Sequence, residues 1–313
     1  MAAVPQAVTR GSRVAGASPK GILRGSRDTV ILLAFVLVPF TLEMFWTFWP
    51  ALNSVYISLT RWDGISPPQF IGLDNYARMW SDDTFRLALR NTVIWLVLFG
   101  GLSVLGGLGL ALLLDKPRRG IGIYRAIFFL PVVFSLVVTA LVWRMIYQPD
   151  GVINSILSAV GLEDQAKIWL GDPDTALYAQ ILPALWRQIG YIMVLFLAGL
   201  KTVDPLLHEA AKMDGASAFE RFRYITLPQL RPVSTVVLAV TVIDALRSFD
   251  IVWSLTQGGP YHSSELLSTY QFATGVQGSQ LGYGSALAVL IFVLTVGTIV
   301  VYLARSLREE ETA

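Results

Sequence analysis

Glu209-Ala210-Ala211-Lys212-Met213-Asp214-Gly215, then nine residues, then Ile225-Thr226-Leu227-Pro228, is the stretch on which the reading of this chain turns. It is short and polar, and it lies between two long apolar runs. Glu209, Ala210 and Ala211 are good helix formers. Gly215 admits a positive φ and a sharp turn. Residues 205–222 therefore predict two short amphipathic helices broken at Gly215. Pro228 and Pro232 are expected to stop the second and to start the next apolar segment. The small side chains of Ala210, Ala211, Ala216 and Ala218 suit a helix that sits deep in a cleft. Glu209, Asp214 and Arg221 are placed to orient it through charge-assisted bonds. On helix signals alone, this is a hairpin joining two spans.

Working outward, the mean hydropathy is +0.58 and only 15% of the 313 residues are charged. Soluble domains carry about 25%. Apolar runs of about 20 residues mark membrane spans. They predict an all-α polytopic membrane protein with six transmembrane helices, near 30–57, 92–114, 123–147, 176–200, 233–255 and 283–305. Residues 1–29 read as a disordered cytoplasmic tail, 30–305 as the transmembrane domain with a loop at 201–232, and 306–313 as a second tail. The first apolar run is too long for a signal peptide and is kept as an uncleaved helix, kinked or tilted by Pro39 and Pro50. The second is rich in glycine, which lets a neighbouring helix approach closely.

Lys and Arg set the orientation. With the N-terminus inside, fifteen fall in the inner segments, among them Lys116, Arg118, Arg119, Lys201, Lys212, Arg221, Arg223 and Arg231. Five fall in the outer loops: Arg61, Arg78, Arg86, Arg90 and Lys167. Both termini and the 201–232 loop are thus expected on the cytoplasmic side.

Ionisable groups inside spans are costly and usually face a cavity or a partner. Thr241, Asp244 and Ser248 recur at i, i+3 and i+7, on one face of a helix. Arg187, Gln188 and Tyr191 form a second polar stripe, with Trp186 beside it. Together they are candidates to line an aqueous path, where hydroxyls, amides and carboxylates match a polyol and aromatic rings stack on a sugar's C–H face. Arg247 and Asp250 read as a gate or a structural pair, since Asp244–Arg247 and Arg247–Asp250 are each spaced i, i+3.

There is no cysteine, which removes disulfides and thiol chemistry. The two histidines, His208 and His262, lie on different loops, so no metal site is expected. A net charge of +2 gives no general attraction to nucleic acid. No G-x-x-x-x-G-K-[ST], H-E-x-x-H or G-x-S-x-G occurs. The chain is therefore expected to be no enzyme and to hold no cofactor.

The opening stretch resembles the EAA loop of binding-protein-dependent ABC importer permeases, whose pattern is E-A-A, three residues, Gly, nine residues, I-x-L-P. Other segments extend the resemblance. Phe70-Ile71-Gly72-Leu73-Asp74-Asn75-Tyr76, Asn91-Thr92, Phe249-Asp250-Ile251-Val252, Leu255-Thr256-Gln257-Gly258-Gly259-Pro260 and Gly282-Tyr283-Gly284-Ser285-Ala286 all resemble the carbohydrate-uptake branch, of the maltose and glycerol-phosphate type. The resemblance implies a type I importer permease fold in a prokaryotic inner membrane. It implies that Glu209, Ala210, Ala211, Asp214 and Gly215 dock on an ATPase, with Glu209 pairing a basic group there. It also implies two ATPase subunits that bind ATP and Mg, a second homologous permease forming a heterodimer, and an extracytoplasmic solute-binding protein touching the outer loops from 256 to 281. Counted from the E-A-A, the sugar-contact positions fall on Gln188, Tyr191, Thr241, Ala245 and Ser248. Two other functions stand beside a sugar, oligosaccharide or polyol importer. One is the same machinery carrying a glycerol phosphodiester, for which Arg187 and Arg247 would suit the anion. The other is an ATP-independent secondary carrier, which would need inverted repeats or broken helices.

Overall fold

A computed structural model describes residues 26–311. The tail expected at 1–29 lies outside the described residues up to position 25, and residues 26–29 are helical. Four helices are long and apolar enough to cross a membrane: Val30–Ser58, Asp83–Leu114, Ala176–Leu200 and Leu281–Tyr302. Two bent pairs, Ile121–Val133 with Leu136–Ile146 and Ala218–Gln229 with Arg231–Leu246, make six if each crosses as one span. Among the described residues the only strands form a two-residue antiparallel pairing, Thr60 with Phe70 and Arg61 with Gln69.

The chain divides into two compact units at Leu52. The described residues of the first, from Ser26, form one helix with a π turn at Met44–Phe48. The Trp49 N–H reaches back five residues to the Met44 carbonyl. This wide turn sits just before Pro50, which has no N–H to offer the ladder. Side chains from Val30 to Leu52 are exposed.

The second unit is built around Ala176–Leu200, 25 residues and about 37 Å long. It packs on Gly101–Leu114 and Ile121–Val133. Gly107 and Gly190 make these crossings close. A Cβ at Gly107 would lie 2.5 Å from Ile192 Cγ2, and one at Gly190 would lie 2.1 Å from the Phe128 carbonyl oxygen. Gly107 of the second span thus acts as the composition predicts, whereas Gly101 and Gly109 face open space. Trp95, Phe99 and Leu185 centre one apolar cluster, and Ile192, Phe196 and Leu230 centre another nearer the 201–232 loop.

Three boundaries differ from the hydropathy reading. The second span begins at Asp83, because Asp82 accepts from the backbone N–H groups of Thr84 and Phe85 and caps the helix. The third run breaks by 100° at Phe134 and Ser135, where the Ser135 hydroxyl caps the next helix through Val138 N–H. The last helix runs on to Glu311 instead of ending at 305.

Buried polar side chains staple the end opposite the 201–232 loop. Asn75 donates to the carbonyls of Ser58 and Thr60. Asn91 donates to those of Ser263 and Glu265, and Thr92 accepts from Leu267 N–H. Asp82 also accepts from the hydroxyls of Tyr270 and Tyr283. Partial burial raises its pKa, but these hydroxyls and the two backbone N–H groups outweigh it and hold the carboxyl below its ordinary value. Its contribution to stability is therefore complete above the ordinary Asp value near 3.8 and is lost as pH falls through the lowered one. Asp82→Asn is expected to lower the thermal midpoint at pH 7 and to flatten its fall in acid. An unchanged acid profile would show that Asp82 does not anchor this end.

Candidate functional site

Two regions carry the polar chemistry. The first lies where the fifth run breaks. Arg231–Leu246 ends at Arg247, and a new helix, Asp250–Leu255, starts three residues on. The sequence at the break holds neither Pro nor Gly. The Ser248 hydroxyl still donates to the Asp244 carbonyl, and it accepts from the Trp95 indole at 3.1 Å. Ser248's own carbonyl, freed by the break, accepts from the Ser268 hydroxyl. The polar stripe at 241, 244 and 248 is therefore not on one continuous helix, as its spacing predicted, but turns a corner at Ser248.

A cavity of about 290 Å³ opens against this corner. Arg187, Gln188, Asp244, Arg247, Ser248 and Asp250 all line it. The Gln188 amide, 4% exposed, donates to Asp244 Oδ2 at 2.9 Å. This bond joins the two stripes that the sequence placed on separate spans. The Arg187 Nε is buried and has no hydrogen-bond partner. Among the described residues no ion pair joins Asp244 to Arg247 or Arg247 to Asp250. The two cations and two carboxylates thus face the cavity separately. Such a site offers both donors and acceptors to a polar solute.

Three candidates stand elsewhere. The Thr241 hydroxyl, buried, donates to the Val237 carbonyl. Tyr191 packs against the apolar cluster of Ile192 and Phe196. Trp186 stacks on Phe134 beside a separate apolar groove. Sequence reasoning missed Phe99, Leu136 and Phe249, which line the polar cavity. Aromatic and aliphatic residues inside a span carry no mark that separates cavity wall from lipid face.

The second region is the elbow within 201–232. Asp204 caps the helix Pro205–Met213 by accepting from Leu206 N–H. At its end the Ala216 N–H bonds the Ala211 carbonyl at 2.9 Å and the Gly215 N–H bonds the Lys212 carbonyl at 3.1 Å. This pair is a Schellman turn with Gly215 at the left-handed position, φ +81°. The turn explains the glycine in the quoted stretch. Ser217 and Glu220 then form a capping box that starts the next helix. Arg221 donates to the Ala216 carbonyl, so it braces the elbow from within. Pro228 does not stop the second helix. A π turn at Phe222–Thr226 precedes it and the segment runs on to Gln229.

Glu209, Ala210, Asp214 and Gly215 are exposed and Ala211 is half-buried. Among the described residues no cation pairs with Glu209 or Asp214. Beside them Met213 is 89% and Phe219 73% exposed, and Leu206 and Tyr224 are also largely uncovered. The elbow is fixed by internal bonds and presents an apolar surface with acidic groups at its edge.

Residues 84–309 match the family described as the binding-protein-dependent transport system inner membrane component. The chain belongs to this family. It is the permease component of an ABC importer, embedded in the membrane, and not the subunit that hydrolyses ATP. The permease is 38% identical to the trehalose/maltose transport system permease protein MalF of Thermococcus litoralis, over 87% of this chain and 90% of that one. It is 36% identical to the probable ABC transporter permease protein YurN of Bacillus subtilis, over 83% and 90%. It is 34% identical to the sulfoquinovosyl glycerol transport system permease protein SmoG of Agrobacterium fabrum, over 88% of each. Its fold matches a chain of a bacterial ABC transporter that imports the acidic polysaccharide alginate, with a TM-score of 0.78, 24% identity and coverage of 90% and 96%. The expected polytopic permease fold is the observed one, and the reading as an ATP-independent carrier falls away.

Proposed function

We infer that this permease imports a sugar, oligosaccharide or polyol and is driven by two ATPase subunits docked at the elbow. The observation that carries the coupling is the Schellman turn at Gly215, which presents Glu209 and Asp214 beside exposed Met213 and Phe219 on a loop braced by its own bonds. A rigid, partly apolar surface docks with little ordering cost. In this reading the loop and both termini are cytoplasmic, ATP and Mg are bound by the partner ATPases, and a second homologous permease completes a heterodimer. The extracytoplasmic binding protein meets the outer loop, where Tyr261 is 90% exposed.

The polyol class is supported by the donors and acceptors of the cavity and by the trehalose/maltose and sulfoquinovosyl glycerol systems named above. Gln188, Asp244, Ser248 and Arg187 are the residues that meet the solute; Arg247 and Asp250 stand at the corner as the gate. Tyr191 and Thr241 support the two helices from behind. A second reading, an anionic solute such as a glycerol phosphodiester, is favoured by the unpartnered Nε of Arg187.

ATPase activity of the purified complex in lipid, with binding protein and a panel of neutral sugars, acidic sugars and glycerol phosphodiesters, tests both readings. Stimulation by neutral sugars is expected, and stimulation by phosphodiesters alone would replace the first reading by the second. Asp244→Ala leaves the buried Gln188 amide without its acceptor, a loss of about 1–3 kcal/mol. It is expected to lower uptake about fivefold or more while the permease still copurifies with its ATPases. Unchanged uptake would remove Asp244 from the path.

A further inference from the structure

The short helix Val152–Ala159 lies at the opposite end of Ala176–Leu200 from the elbow. Val152, Ile153, Ile156, Leu157, Ala159 and the following Val160 fall on one arc of its surface, and Asn154, Ser155 and Ser158 fall on the other. Val152, Ile156 and Val160 are exposed, Ile156 at 57%. Leu162 and Ile168 extend this exposed apolar edge.

The helix is held firmly in place. The Asn154 amide donates to the carbonyls of Pro149 and Lys167, and its oxygen accepts from the Trp169 indole at 2.8 Å. The Tyr147 hydroxyl donates to the Ala179 carbonyl at 2.7 Å. Behind the helix opens a cleft of about 360 Å³, lined by Tyr147, Ile153, Trp169, Tyr178 and Leu182 together with the polar Asp174 and Thr175. Tyr178 and Leu182 are themselves exposed on a helix that crosses the membrane, one turn apart. The cleft is therefore continuous with an exposed side of that span. Tyr and Trp clustered at one end of a span mark the level of the headgroups.

We propose that Val152–Ala159 rests in the headgroup boundary of the leaflet opposite the elbow, and that a phospholipid acyl chain fills the cleft behind it. The amphipathic arc then faces acyl chains with its exposed apolar edge and water with its serines. The helix anchors the loop to the membrane surface instead of presenting it to a soluble partner.

The chain has no cysteine, so single-cysteine variants can be spin-labelled directly. Ile156→Cys, Val160→Cys, Leu182→Cys and, on the polar arc, Ser158→Cys would be labelled in the assembled complex. The vesicles would be phosphatidylethanolamine and phosphatidylglycerol. Labels at 156, 160 and 182 are expected to collide freely with oxygen and about fivefold less with a water-soluble nickel chelate than the label at 158. Chelate reaching 156 as readily as 158 would put the helix in water and overturn the proposal. Exclusion of both reagents at 156 or 182 would show protein covering the site, and would overturn it equally.

Discussion

Glutamate in place of both Met213 and Phe219 is expected to abolish ATP-driven uptake while the permease still inserts in the membrane. The two side chains are 89% and 73% exposed, so neither helps to hold the permease together. Their cost is confined to whatever they touch in the complex. Apolar anchors at the centre of an interface are worth about 2 kcal/mol or more each, about 30-fold in affinity. Two buried carboxylates without partners add to that loss. Copurification with the ATPase subunits and uptake in liposomes would both fall. Lys212→Ala, on the same helix, is expected to change either by less than about 1 kcal/mol. Gly215→Val tests the shape separately from the surface. A β-branched residue at φ +81° is strained by about 1–2 kcal/mol or more and would open the Schellman turn. Uptake should drop although every docking side chain is still present. Full uptake with Met213→Glu and Phe219→Glu combined would mean that the ATPase docks elsewhere.

The second large effect is expected at Gly190→Val. The Cβ would fall 2.1 Å from the Phe128 carbonyl oxygen and 3.0 Å from its carbon. Both are backbone atoms, so no rotamer change relieves the clash and the helices Ile121–Val133 and Ala176–Leu200 must part. Overpacking commonly costs about 1–3 kcal/mol, and a backbone clash lies at or above the top of that range. Loss of the permease from the membrane fraction, or a large fall in its thermal midpoint, is expected. Two glycines of the second span set the scale. A Cβ at Gly106 meets only the flexible Ile189 side chain, at 3.0 Å, and one at Gly109 meets nothing within 4 Å. Gly106→Ala should cost little, and Gly109→Ala should be neutral or slightly stabilising, as Ala favours a helix by about 1 kcal/mol. Equal tolerance of Gly190→Val and Gly109→Ala would contradict this crossing.

The elbow was legible because its signals are local. A left-handed residue after a helix selects glycine, so Gly215 marked the turn; Ser217 with Glu220 three residues later, an equally local start signal, was not read. The six apolar runs were legible because a membrane span must be long and uncharged. Their ends were less so, since hydropathy stops at the first charges. Arg86 and Arg90 placed the second start near 92, although the helix continues outward to its cap at Asp82. The bend at Phe134 had signals in Pro131 and Ser135. The break after Leu246 had none, because the residues there are ordinary helix formers and their contacts with Trp95 and Ser268 are distant in sequence. Spacing found the Gln188 and Asp244 stripes but not that they bond each other. It also could not separate Thr241, which is buried away from the cavity, from Ser248, which lines it.

In the proposed coupling the permease meets its ATPase through the Glu209–Gly215 stretch. A photo-crosslinker on Lys212→Cys in the assembled complex tests it most directly, with Val160→Cys at the opposite end as the control. A crosslink from position 212 to the ATPase subunit is expected, and none from position 160. A crosslink from 212 that reaches only lipid or the other permease, in a complex that still hydrolyses ATP in response to its loaded binding protein, would contradict it.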